Sequence, residues 1–164
     1  MSEPFDQERV RALVLAIFQA NGRLTEAGTA LVQPAGLTTA WWQVLGALGY
    51  APHPLPVAHI ARNMGLSRQA VQRVTDLLAD RGYVRLEPNP HHRRARLVVL
   101  TEAGRRALET AEAAVVPLDR TIFDRLGSDR LTAATAALHD LSAVLDAYLT
   151  AAEAARTPRQ ETLK

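Results

Sequence analysis

Cysteine is absent from this 164-residue chain. Disulfide staples, thiolate metal sites and thiol-based redox sensing are therefore excluded. Long apolar runs are absent too, and none approaches the roughly 18 residues of a membrane-crossing helix. The stretch Met1 to Asp6 lacks a basic region followed by an apolar core, so no signal peptide is expected. There is no Gly-rich phosphate loop, no Ser-His-Asp arrangement in a workable context and no carboxylate pair at a candidate pocket. The five histidines, at 53, 59, 91, 92 and 139, form no ligand spacing with a nearby acid. The expectation is a cytoplasmic, cofactor-free protein that is not an enzyme and does not enter a membrane.

What the chain does have is helix-forming residues and an uneven charge. Ala and Leu dominate over Val, Ile and aromatics, which favours helix. The formal net charge is only +2, but its distribution is lopsided. Between His59 and Arg106 stand ten arginines (62, 68, 73, 81, 85, 93, 94, 96, 105 and 106) against Asp76, Asp80, Glu87 and Glu102. The remainder holds nine basic and thirteen acidic residues. A basic middle between mildly acidic flanks can mark a phosphate-binding surface, or simply a solvated arginine-rich one.

Apolar spacing predicts helix from Phe5 to about Val32, with Asn21-Gly22 able to bend or end it. Thr38 or Thr39 caps a short helix through Leu48. A connector with prolines 52, 54 and 56 follows, and Pro56 suits the first turn of the next helix. That helix is brief and stops at Asn63-Met64-Gly65. Ser67 caps another, from Arg68 to about Arg81, with Ala70, Val71, Val74, Leu77 and Leu78 as its apolar stripe. Two strands, Tyr83 to Glu87 and Arg96 to Leu100, flank a polar, proline-containing loop and form a hairpin. Thr101 caps a long helix to about Leu126, in which Pro117 is expected to make a kink. Gly127-Ser128 breaks the chain before a last helix to about Ala155.

The informative block is short helix, tight glycine turn, second helix and basic hairpin. That order is a helix-turn-helix with a wing, and in such motifs the second helix enters the major groove. Arg68 and Gln72, like Gln69 and Arg73, are four apart, so all four lie on neighbouring positions of one face. Arg can donate two bonds to guanine and Gln can pair with adenine. Ser67, at the helix start, can bond a phosphate. The hairpin carries Arg93, Arg94 and Arg96, and a thin hairpin can take arginine into a minor groove.

The run Leu55 to Val71 resembles the helix-turn-helix of the multiple-antibiotic-resistance regulator (MarR) family. Asn89-Pro90-His91-His92-Arg93-Arg94, followed by Leu97 to Gly104, is similar to that family's wing and the start of its next helix. Leu37-Thr38 with Trp42 and Leu45 resembles the helix before it. The resemblance spans nearly the whole chain. Asn89 and His92 stand where the family often has aspartates able to brace the wing arginines.

The resemblance implies a mainly α protein with a small β-hairpin. A winged lobe at 37–101 would sit between dimerisation helices at 5–36 and 102–155, with a frayed tail at 156–164. It implies a homodimer on double-stranded DNA, acting as a repressor released by a small-molecule effector, often an aromatic or phenolic anion. Candidate effector contacts are Phe18, Trp41, Trp42, His53 and Phe123, with Arg11 or Arg62 to hold a carboxylate. The alternatives are a winged-helix DNA-binding protein without a ligand, and a helical protein–protein adaptor.

Overall fold

The computed structural model describes residues 4–92 and 94–156. Helix α1 spans Gln7–Val32, and Asp6 starts it by accepting from the backbone N–H groups of Glu8 and Arg9, both at 3.1 Å. The helix runs on through Asn21-Gly22 without a break. One interior glycine costs only about 1 kcal/mol relative to alanine, and the Thr25 hydroxyl bridges the spot by donating to the Asn21 carbonyl at 2.8 Å. A 3-10 turn, Gln33–Ala35, leads into α2, Thr39–Gly49. Thr38 is the cap, accepting from Trp41 N at 3.2 Å. Thr39 points inward instead and shares a 2.7 Å hydrogen bond with Thr29, which ties α2 to α1.

Strand β1 is only Leu55–Pro56 and runs straight into α3, Val57–Asn63. Helix α4 spans Arg68–Asp80, β2 is Val84–Glu87 and β3 is Leu97–Leu100. The hairpin read from sequence is thus the larger part of a three-stranded antiparallel sheet ordered β1-β3-β2. Leu86 pairs with Val98 and Val84 with Leu100, and Leu55 adds from the other side of Val98. Pro56 closes β1 in extended conformation before the helix instead of serving as its first turn.

The core forms where these elements meet. Val44 and Leu45 of α2, Ile60 of α3, Val71 and Leu78 of α4 and Val98 of β3 are all buried. Val71, Thr75 and Leu78 recur at helical spacing, so one face of α4 is committed inward and its opposite face is left to solvent.

Helix α5 covers Glu102–Arg156. Leu108, Ala111 and Val115 of its first half join the core. Its start is fixed by Thr101, whose hydroxyl accepts from Gly104 N at 3.0 Å and donates to the Gly82 carbonyl at 2.6 Å. Gly104 lies so close to Tyr83 that a Cβ there would sit 2.0 Å from the Tyr83 carbonyl oxygen. The backbone keeps helical values at Pro117, where the sequence predicts a kink, and departs from them at Gly127 (φ 72°, ψ 164°).

The chain divides into two compact units, Met1–Val116 and Pro117–Lys164. The first contains the winged lobe. Its helix α1 presents exposed apolar side chains, among them Leu15 (61% exposed) and Phe18 (70%). The second likewise exposes Val144, Leu145, Tyr148 and Leu149. No helix among the described residues is long and apolar enough to cross a membrane. Of the tail predicted at 156–164, only Arg156 falls within the described residues, and it is helical.

Candidate nucleic-acid interface

The turn between α3 and α4 aims the second helix. Leu66 N bonds the Ala61 carbonyl across the turn at 2.9 Å, and Gly65 N bonds that of Arg62 at 3.2 Å. Closing the helix this way needs a left-handed residue, and Gly65 supplies it at φ 62°. Two residues later the Ser67 side chain accepts from Ala70 N at 3.1 Å and starts α4. That bond uses an acceptor site of the hydroxyl, so its O–H remains able to donate to a phosphate.

Arg68, Gln69, Gln72 and Arg73 are exposed on the outer face of α4, opposite Val71 and Leu78. The wing stands beside them. A groove of about 430 Å³ runs between the two, walled by Arg68, Gln69 and Gln72 on one side and Arg94, Ala95 and Arg96 on the other. Pro56, Val57, Ala58 and Leu86 form its floor. Five of the residues singled out in the sequence therefore line one cleft, and among the described residues no carboxylate lines it. Ser67 and Arg73 are exposed but are not among its lining residues, and Arg93 lies outside the described residues.

Several partners in this region escaped the sequence reading. Gln72 is not free: its amide nitrogen donates to Asp76 Oδ1 at 2.7 Å, one helical turn on. A carboxylate only accepts, so the amide nitrogen must face Asp76, and this fixes which way Gln72 is turned. Arg96 donates to the Leu86 carbonyl across the base of the hairpin at 2.5 Å, so it braces the wing as well as lining the cleft. Arg85 pairs with Glu87 at 2.7 Å. Asn89, standing where an aspartate is common, accepts from His91 N at 2.9 Å and so builds the first turn of the wing loop.

The candidate effector residues are dispersed. Trp42 lines a cavity of about 480 Å³ together with Asn21 and Thr25 of α1, Gln43 of α2, Tyr50 just after it, and Met64 and Leu66 of the turn. Tyr50 donates its hydroxyl to Glu112 at one side of it. His53 and Arg62 share a different cavity, of about 740 Å³, beside the wing. Trp41 packs under Arg81, whose guanidinium carbon is 5.1 Å from the ring centre. Arg11 and Phe18 are exposed on α1, and Phe123 is exposed in the second unit. Among the described residues no cluster of three or more His, Cys, Asp or Glu could hold a metal ion.

A sequence profile of the MarR family matches residues 35–95, from the turn before α2 through the wing loop, which includes every lining residue of the cleft except Arg96. The transcriptional activatory protein BadR of Rhodopseudomonas palustris is 32% identical over 142 residues, spanning 85% of this chain and 79% of BadR. This chain belongs to the MarR family. An uncharacterised protein of Mycobacterium tuberculosis is also 32% identical, over 140 residues, spanning 85% of this chain and 96% of that protein. Among solved structures, the transcriptional repressor CouR bound to a 23-mer DNA duplex superposes with a TM-score of 0.69 at 28% identity, covering 86% of this chain and 99% of that one. CouR from Rhodococcus jostii RHA1 bound to p-coumaroyl-CoA gives 0.73 at 23% identity, covering 84% and 96%. MarR-family members are transcriptional regulators, and they are dimeric.

Proposed function

We propose that this MarR-family protein is a sequence-specific DNA-binding regulator, with α4 in the major groove and the wing along the adjacent minor groove. The observation that carries the reading is the carboxylate-free cleft in which Arg68, Gln69 and Gln72 face Arg94 and Arg96. Arg68, Gln69, Gln72 and Arg73 read base edges, Ser67 binds a phosphate and Arg94 tracks the backbone or enters the groove. CouR, which shares this fold, was solved on a DNA duplex.

The regulator acts as a homodimer in the cytoplasm. The exposed apolar side chains of α1, and separately those of the second unit, are the surfaces a second copy covers. A two-fold dimer presents two α4 helices to half-sites about one helical turn apart. The cavity beside Trp42 is the effector site. Its 480 Å³ is ligand-sized, and an aromatic ring with the polar Asn21, Thr25 and Gln43 suits a phenolic or other aromatic molecule. Its position between α1, α2 and the turn before α4 lets a ligand bias the spacing of the reading helices, by as much as it prefers one spacing over the other. Bound across a promoter, the protein represses by occlusion, and the effector releases it.

Selection of binding sites from a random duplex pool tests the reading. The expected result is an inverted repeat with half-site centres about 10 base pairs apart. Recovery of unrelated sequences, with no enrichment over rounds, would contradict it and favour a winged lobe used as a protein–protein adaptor.

A further inference from the structure

Adjoining the reading cleft, and sharing Pro56, Ala58, Arg68 and Ala95 with it, lies a second groove of about 740 Å³. Four of the five histidines of the chain converge on it from three separate segments. His53 comes from the connector before β1, His59 from α3, and His91 and His92 from the wing. Arg62 of α3 and Arg68 of α4 complete its charged lining. Asn89 is the remaining polar lining residue, and the other lining residues are prolines, alanines and Leu97. Among the described residues no carboxylate lines it, and all four histidines are exposed.

We propose that this groove is a second phosphate-binding site, taken by the DNA backbone flanking the bases that α4 reads, and strengthened as its imidazoles take up protons. The proposal rests on the DNA-binding reading. Arg68 belongs to both grooves, so a duplex engaged in the first has its backbone continuing toward the second. A phosphodiester needs cationic or N–H donors around it and no competing anion, and this lining meets both conditions. Histidine is the side chain that changes charge within the physiological range. Each imidazole that gains a proton converts from one donor and one acceptor to two donors with a positive charge. A bound phosphate favours that form, so DNA binding draws protons in. The sign follows: affinity rises as pH falls through the histidine range and declines as pH rises. Arg62 and Arg68 stay charged throughout and provide the pH-independent part.

The test is fluorescence anisotropy of the full chain on a labelled duplex, at about pH 6 and about pH 8, each across several chloride concentrations. Four proteins are compared: the natural chain, His53→Gln with His59→Gln, His91→Gln with His92→Gln, and His139→Gln as a control in the second unit. The natural chain and the control should bind about tenfold more tightly at the lower pH, with a salt slope steeper by about 1 to 2 because extra phosphates are neutralised. Each groove double variant should lose a substantial share, about half, of both changes. Binding that is flat with pH, or a pH response that survives undiminished in both double variants, would overturn the proposal and leave the DNA reading standing. Absence of binding at either pH would sink both. A second arm replaces chloride with inorganic phosphate at equal ionic strength. Displacement of DNA by phosphate beyond chloride, in the natural chain and not in the variants, would give the groove to a free anion and overturn its assignment to the DNA backbone.

Discussion

Replacing Gly104 with alanine puts a methyl group where the Tyr83 carbonyl already sits. The new carbon would lie 2.0 Å from that oxygen and 2.9 Å from its carbon, with Leu100 Cδ2 at 3.2 Å. Two effects oppose each other. Alanine favours helix over glycine by about 1 kcal/mol. Overpacking costs roughly 1–3 kcal/mol, more where the obstacle cannot rotate away, and here it is backbone. The only relief is for the start of α5 to draw back from β2. That stretches the Thr101 hydroxyl bond to Gly82 and the Thr101 N bond to Tyr83, at 2.6 and 3.1 Å, which are worth about 1 kcal/mol each. The clash wins, for a net loss of about 3 kcal/mol. Urea unfolding at fixed protein concentration should show the midpoint falling by about 1–3 M, given slopes of roughly 1–3 kcal/mol per molar. Gly22→Ala is the companion, because nothing lies within 4 Å of its Cβ position inside α1. It should raise stability by about 0.5–1 kcal/mol. An unchanged or higher midpoint for Gly104→Ala would refute the close approach between α5 and β2 on which the seating of the wing depends.

Other expectations follow from the same geometry. Thr75 is wholly buried and its hydroxyl has no hydrogen-bond partner among the described residues, so Thr75→Val should stabilise by about 1 kcal/mol; thermal melts giving a loss would mean the hydroxyl is satisfied. Arg73→Ala should weaken binding by roughly 1–3 kcal/mol and relax preference at one base position; equal weakening on every sequence, read by competition with single-base variants, would count against base contact. Arg94→Ala should weaken binding on all duplexes and lower the salt slope by about 1; an unaltered slope would remove the wing from the backbone.

The lobe was legible because its signals are local and agree with one another. Val71 and Leu78 place one face of α4 inside, so the charged face could be read from spacing alone. Ser67 and Thr101 stand where caps must stand, and Gly65 where a left-handed residue is needed. Elements that depend on distant neighbours were harder to see. Two residues cannot display alternation, so β1 became visible only as the third strand beside β3. Asn21-Gly22 looks like a break, yet the cost of one glycine is small beside the continuity of a long helix. The break read at Gly127-Ser128 is where the backbone leaves helical values, Gly127 taking the positive φ, while Pro117 keeps helical values.

The candidate site divides along the same line. Arg68, Gln69, Gln72, Arg94 and Arg96 were recognisable by residue type and order. The sequence carries no sign that Asp76 turns Gln72 or that Arg96 braces Leu86, since both follow from the close approach of particular atoms. Aromatic residues at helical spacing mark a face but not which faces share a cavity. That is why Trp42, His53 and Phe123 fell in different places, while Asn21, Thr25 and Tyr50 beside Trp42 were not singled out. The four histidines were each visible in sequence, and only the folded connector, α3 and wing bring them to one groove.

The most direct measurement is anisotropy of the purified protein on a labelled duplex from upstream of its own gene, at several salt concentrations with random DNA in excess. Tight binding that survives the competitor and falls steeply with salt is the predicted result. Binding that the competitor abolishes, or none at low salt in the absence of added ligand, would contradict a sequence-specific regulator.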